Sequence, residues 1–186
     1  MAHVLLACSS VYGYTRRICE FIEAELEGRG HRADVVDLAD AGRELARYDA
    51  IVIGASIRHG KHRPAVHDFI SEHRELLAAR PSAFFSVNLV ARKSGKNTPE
   101  TNPYVRKFLR RIPWKPRLVA VFAGNVDYPR YDAFDRTIIR VIMWLTRGPT
   151  DPKARIEFTD WTEVRRFAER ITALARGLAA KQGDSA

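Results

Sequence analysis

Ser9, Ser10, Val11, Tyr12, Gly13, Tyr14 and Thr15 stand between an apolar run, HVLLAC (3–8), and the first turn of a helical pattern. Hydroxyl donors and one glycine at a helix start are the materials of an anion site. The first backbone N–H groups of a helix have no intrahelical partner, and the helix dipole favours negative charge there. Arg16 and Arg17 follow at once, where that dipole disfavours cations by a few tenths of a kcal/mol or more. A bound anion would give them a reason to be tolerated. A nucleotide-triphosphate loop needs a Gly-Lys-Ser/Thr ending and a dinucleotide fingerprint needs three spaced glycines; the stretch has neither. What remains suits the phosphate of flavin mononucleotide (FMN), with an ordinary serine-capped turn as the alternative.

A flavin ring would rest between the loops after the third and fourth apolar runs, GASIRHGKH (54–62) and SVNLVARKSGK (86–96). Ala55, Ser56, Ile57, Ser86, Val87, Asn88 and Leu89, with Gly124 at the end of the fifth run, offer the small residues, backbone donors and apolar flanks that a flat ring needs. Arg58, Arg92 and Lys93 place three cations around the same mouth. His59 and His62 are spaced as His-x-x-His on a loop, too weak a pattern for a metal site, so no metal is expected. His73 is read as a core histidine on the inward face of the third helix. Cys8 and Cys19 are read as small buried apolar residues, since two cysteines make no disulfide framework.

The elements that must position these residues are apolar runs alternating with helical patterns. HVLLAC (3–8), ADVVDL (33–38), DAIVIGAS (49–56), SAFFSVNL (82–89) and RLVAVFAG (117–124) are of strand length. Helices follow, with Ile18, Phe21, Ile22 and Leu26 on one face of the first, Pro64 opening the third, and a further one from about Pro103 to Ile112. The last helix keeps helical spacing from Trp161 to Leu178, behind a capping box of Asp160 and Glu163. Continuous apolar strands between helices mean a parallel sheet covered on both faces. The expected fold class is therefore α/β, a flavodoxin-like three-layer sandwich with a five-stranded parallel sheet, binding ligands at the carboxyl ends of its strands. Residues 1–178 are expected to form a single domain and 179–186 a frayed tail.

Residues 125–154 interrupt the alternation, as a long insertion in or after the fifth strand, with RIEFTD (155–160) read as that strand's continuation. On a helix over 134–147, Phe134, Ile138, Val141, Ile142 and Leu145 cover one side while Arg136, Arg140 and Arg147 form a stripe on the other. Such a helix suits an anionic membrane surface, or else packs its apolar face on the protein's own sheet. It is too short to cross a bilayer.

The chain of 186 residues is 46% hydrophobic and 28% charged with a net charge of +9, a composition that fits a globular protein with an anionic partner rather than a membrane-spanning or disordered one. No secretory leader is evident, and a cytoplasmic location is expected. Nucleic acid would satisfy the charge, but no nucleic-acid motif is present. A receiver-type signalling domain needs an acidic pair after the first strand, and CSSVYG has none.

VIGASIRHGKH, PSAFFSVNLVARKSGKNTPETNPYVRKFL, AGNVDYPRYDAFDRTIIRVIMWLT and FTDW resemble the bacterial menaquinone-dependent protoporphyrinogen oxidase family, over about residues 3–175. The resemblance implies a long-chain flavodoxin fold, FMN, and oxidation of protoporphyrinogen IX to protoporphyrin IX in haem biosynthesis, with menaquinone or ubiquinone as acceptor. It also implies a peripheral position on the inner face of the cell membrane through the insertion; the sequence leaves a homo-oligomer open. By the same resemblance Ser10 to Tyr14 match the phosphate loop, although Val11, Tyr12 and Tyr14 replace a more polar pattern. Arg58, Arg92, Lys93 and Arg130 are then candidates for the substrate carboxylates, Tyr128 and Tyr131 for stacking on the macrocycle, and His59 for an acid or base; no catalytic residue is assigned. A flavodoxin-type electron carrier and an NAD(P)H:quinone reductase are the alternatives, the positive charge counting against the first.

Overall fold

The computed structural model describes residues 1–145 and 148–183, with side chains as far as Gly177. Arg147 and the end of the expected tail, 184–186, lie outside the described residues. In chain order the elements are β1 (His3–Ser9), α1 (Tyr14–Glu27), β2 (Arg32–Asp37), α2 (Leu38–Ala41), β3 (Ala50–Arg58), β4 (Lys61–His62), α3 (Pro64–Glu72), α4 (Arg74–Ala79), β5 (Ser82–Val87), α5 (Pro103–Leu109), β6 (Leu118–Phe122), β7 (Asn125–Asp127), α6 (Ala133–Leu145), β8 (Arg155–Glu157) and α7 (Trp161–Gly183).

Five strands pair in parallel in the order β2-β1-β3-β5-β6, and the two-residue β4 turns back antiparallel on the end of β3. Strand alternation divides the core in two. Val4, Leu6, Val52, Ala83 and Phe85 point to the layer of α1 and α7, whereas Leu5, Ala7, Ile51, Ile53 and Phe84 point to the layer of α3, α4 and α5. A sheet buried on both sides is why these strands read as unbroken apolar runs. The order reverses between β1 and β3, so their carboxyl ends diverge and leave a crevice there.

Gly54 lies in the middle of β3, where an added Cβ would sit 2.3 Å from Cζ of Phe85. Phe85 is fully buried and has nowhere to go. Gly54→Ala is expected to destabilise the fold by about 1–3 kcal/mol through overpacking, read as a lower urea midpoint at unchanged m-value.

Cys8 and Cys19 are both free and buried, as expected. His73 is only half-buried, at the break between α3 and α4, its ring against Phe69 and close to Gly42. A histidine at a helix end reaches solvent, which is why inward spacing misplaced it in the core. Asp160 does cap α7, accepting from the N–H groups of Thr162 and Glu163, but Glu163 turns to Arg166 instead of closing a capping box.

RIEFTD does not continue the fifth strand of the large sheet. Arg155–Glu157 pair antiparallel with Asn125–Asp127 as a separate ribbon, because the chain returning from the insertion finds its hydrogen-bond partners on the segment by which it left. The insertion is thus closed at its base. It carries a core of its own, Val126, Tyr128, Tyr131 and Met143, packed against Tyr12, Leu89 and Ile139.

Candidate functional site

β1 ends at Ser9 and α1 begins at Tyr14, with Gly13 between them at φ 84° and no side-chain cap on the helix. That left-handed conformation is cheap for glycine alone. Ser10 Oγ and Thr15 Oγ1 are buried with no hydrogen-bond partner. Two orphaned hydroxyls beside uncapped helix amides cost stability unless an acceptor arrives. A phosphate monoester supplies several acceptor oxygens, so this loop fits one. Arg16 and Arg17 need no anion to be tolerated: Arg16 pairs with Glu20 at 3.7 Å, and Arg17 reaches Glu157 at 2.6 Å while lying over the Trp161 ring.

The crevice opens from this loop toward the insertion. Ser10, Val11, Tyr12, Tyr14 and Thr15 line it at one end, and Ser56, Ile57, Arg58, Val87, Asn88, Leu89 and Gly124 line it further along. Tyr131, Asp135, Ile138, Ile139 and Ile142 from the insertion form the remaining wall. The surface they expose is mostly apolar, with hydroxyl, amide and charged groups set around it, as a flat aromatic ligand with a polar tail requires. Ser9, Ala55 and Ser86 do not line it. Ala55 is core, Ser9 accepts from Ser56 Oγ through its carbonyl, and Ser86 Oγ is held by His62 and Asn88 behind the wall.

Asp135 was not singled out in the sequence, yet it ties the site together. Its side chain is 3% exposed. It lies 2.9 Å from Arg58 Nη2 and 2.9 Å from His59 Nε2, and it accepts the Tyr12 hydroxyl. Burial raises its pKa, but the bonds from Tyr12 and His59 and the Arg58 charge outweigh that, holding it below the usual carboxylate range. Burial, then the Asp135 carboxylate, push the Tyr12 hydroxyl up to about 12. The β3–β4 hairpin aims Arg58 and His59 at Asp135 through a two-residue turn in which His59 has φ 48° and Gly60 φ 79°, the pairing of left-handed residues that such tight hairpins demand. Asp135 therefore latches α6 to the loops after β1 and β3.

The expected substrate contacts divide. Arg58 and Tyr131 are on the cleft wall. Tyr128 is not: it is fully buried, with its hydroxyl donated to Pro149 O at 2.7 Å, so its ring is unavailable for stacking. Arg92 folds back to Leu89 O at 2.9 Å, and neither it nor Lys93 lines the cleft. Arg130 is not on the cleft wall either: it stands beside Gly13 of the phosphate loop, in an adjoining hollow. Arg92, Lys93 and Arg130 join Arg58 at one mouth by loop membership, which does not say to which side a side chain turns.

Of the expected basic stripe, Arg136 and Arg140 are held within the insertion, and Arg147 lies outside the described residues. Arg136 Nη2 donates to Tyr131 O at 3.0 Å and Arg140 Nε to Thr150 O at 3.1 Å, both within the insertion. Met143 is buried, while Phe134, Val141, Trp144 and Leu145 are 50–72% exposed. Nor does the apolar face pack on the sheet: Ile138 and Ile142 border the cleft, and the rest faces outward.

The model of the flavodoxin domain matches residues 5–153. Protoporphyrinogen IX dehydrogenase (quinone) of Leishmania major is 47% identical over 172 residues, 91% of this chain and 74% of that one. The enzyme of the same name from Escherichia coli is 43% identical over 171 residues, 91% of this chain and 94% of its own. The chain belongs to the protoporphyrinogen IX dehydrogenase (quinone) family of flavodoxin-domain proteins. Among solved structures, oxidised flavodoxin 1 from Bacillus cereus superposes with a TM-score of 0.54 at 14% identity, covering 92% of this chain and 98% of that one. A flavodoxin from the domain Archaea gives 0.52 at 18%, with 94% and 99% covered. The α/β flavodoxin-like fold expected from the strand pattern is the fold of this family.

Proposed function

We propose that the chain, loaded with FMN, oxidises protoporphyrinogen IX to protoporphyrin IX and passes the electrons to a menaquinone or ubiquinone. The identity of 47% and 43% to two enzymes named for that reaction carries the reading, and the orphaned hydroxyls at the head of α1 support the cofactor. FMN, when bound, supplies two-electron redox chemistry, so removal of six electrons takes three rounds. Ser10, Thr15 and the first amides of α1 hold its phosphate, and Ser56, Ile57, Val87, Asn88, Leu89 and Gly124 flank its ring. The tetrapyrrole is large and apolar with two carboxylates; Ile138, Ile139 and Ile142 give it an apolar wall, Tyr131 an aromatic one, and Arg58 a cation at the rim. These residues bind, orient and exclude water.

Among the described residues no helix is long and apolar enough to cross a membrane. A quinone is lipophilic and partitions into the bilayer, and α6 turns Ile138 and Ile142 to the cleft and its remaining apolar groups outward. Phe134, Val141, Trp144 and Leu145 are the docking groups, with apolar burial rather than an arginine stripe as the driving term. Replacing Phe134, Trp144 and Leu145 by Ser is expected to lower binding to vesicles by roughly 10–100-fold at unchanged FMN content, since each partly exposed side chain contributes only part of its ~1.5–3 kcal/mol. Co-sedimentation checks this; unchanged binding removes the membrane role, and a concentration-dependent change in size instead assigns the face to self-association.

The function itself is tested by steady-state assay without oxygen. Porphyrin fluorescence should rise with protoporphyrinogen and a menaquinone analogue, and NADPH should not replace the porphyrinogen. Turnover with NADPH alone would favour the quinone-reductase alternative.

A further inference from the structure

Arg130 closes the short turn Tyr128–Arg130, between β7 and α6, and its Nη2 stands 3.9 Å from the point a Cβ on Gly13 would occupy. It lines a hollow beside the cleft with Gly13, Tyr14 and Arg17, where the two carboxylates, Glu20 and Asp127, are paired with Arg16 and Arg155. The other arginines around this loop are engaged by carboxylates: Arg16 by Glu20, Arg17 by Glu157, Arg155 by Asp127 and Arg58 by Asp135. Arg130 has no such partner among the described residues. In the same loop, Thr15 Oγ1 and Ser10 Oγ are buried and unpartnered, and Thr15 is 1% exposed. Hydroxyls and amides give acceptor oxygens their hydrogen bonds but give no charge, whereas a phosphate monoester carries about −1.5 to −2 at neutral pH.

We propose that Arg130 is the counter-ion of the FMN phosphate, a positioning residue supplied by the insertion to the loop after β1 and not a contact to substrate. The inference rests on the FMN reading above. Its consequence reaches beyond affinity. Tyr131, next in the chain, is on the cleft wall and α6 follows it, so a phosphate that holds Arg130 also holds the wall in place. FMN would then seat the insertion, while riboflavin, with the same ring and no phosphate, would not.

The test compares FMN and riboflavin binding to the full chain and to Arg130→Gln and Arg130→Lys. Arg130→Gln should weaken FMN by about tenfold, the scale of one charge-assisted contact at a partly exposed site, and leave riboflavin unchanged. Arg130→Lys should recover part of the loss, and the salt dependence of FMN binding should flatten in Arg130→Gln. In hydrogen exchange, FMN but not riboflavin should slow residues 128–145 of the unsubstituted chain. Equal FMN affinity in Arg130→Gln and the unsubstituted chain overturns the assignment while the FMN reading stands. So does an equal loss for both flavins, which would mark a structural role. Failure of the unsubstituted chain to take up FMN overturns both.

Discussion

Ser10→Ala combined with Thr15→Val is expected to cost the protein about 10²–10⁴-fold in FMN affinity and, without cofactor, to leave it as stable as before or slightly more so. Both hydroxyls are buried without a partner. Each would donate to a phosphate oxygen, and hydrogen bonds to a charged acceptor contribute roughly 1.5–3 kcal/mol apiece, which converts at about 1.4 kcal/mol per decade. In the empty loop the same hydroxyls are a desolvation cost, relieved by apolar groups of the same shape. Fluorescence titration with FMN and a urea melt of the apoprotein check the two halves together. Unchanged affinity would mean that the hydroxyls face no phosphate. A strongly destabilised apoprotein would mean that they have partners in the fold.

His62 is expected to dominate acid sensitivity. The ring is buried between Phe84 and Phe108, bonded through Nε2 to Ser86 Oγ at 3.0 Å, with Nδ1 unpartnered. A second ring proton would place a charge there with no acceptor, and burial, with a smaller contribution from His67, lowers the pKa to about 3. Between that value and the unfolded pKa of about 6.5 the unfolded chain binds more protons than the folded one. Stability is therefore complete above pH ~6.5 and falls as pH drops toward 3, by up to about 5 kcal/mol from this group. His62→Gln, which does not titrate, should be weaker at neutral pH but lose much less between pH 6 and pH 4. An identical acid limb in both proteins would place the sensitivity elsewhere. Because His62 pairs with Ile57, protonation should first open the hairpin that carries Arg58 and His59, releasing the Asp135 latch.

The sheet was legible because each parallel strand is covered on both sides and so appears as an apolar run, and the phosphate loop because hydroxyls and a glycine fall where a helix begins. Asp135 was not legible. It is one acid on an amphipathic helix, and its partners His59 and Tyr12 lie 76 and 123 residues away, a separation that carries no periodic signal. The outward turn of α6 was hidden for a related reason. Helical spacing shows that Phe134, Val141 and Leu145 share a side, but which side faces solvent is set by the Asp135 latch and by Met143 in the insertion's own core. Arg130 shows the same limit at loop scale: its proximity to the site was readable, while its place beside Gly13 was not.

An anaerobic single turnover tests the central claim most directly. The FMN-loaded chain is mixed with protoporphyrinogen, and flavin absorbance and porphyrin fluorescence are followed in the same cell before a quinone is added. Bleaching of the flavin by porphyrinogen, recovery on adding quinone, and porphyrin formed in step are the predicted result. A flavin that stays oxidised in the presence of protoporphyrinogen but is bleached by NADPH would contradict it.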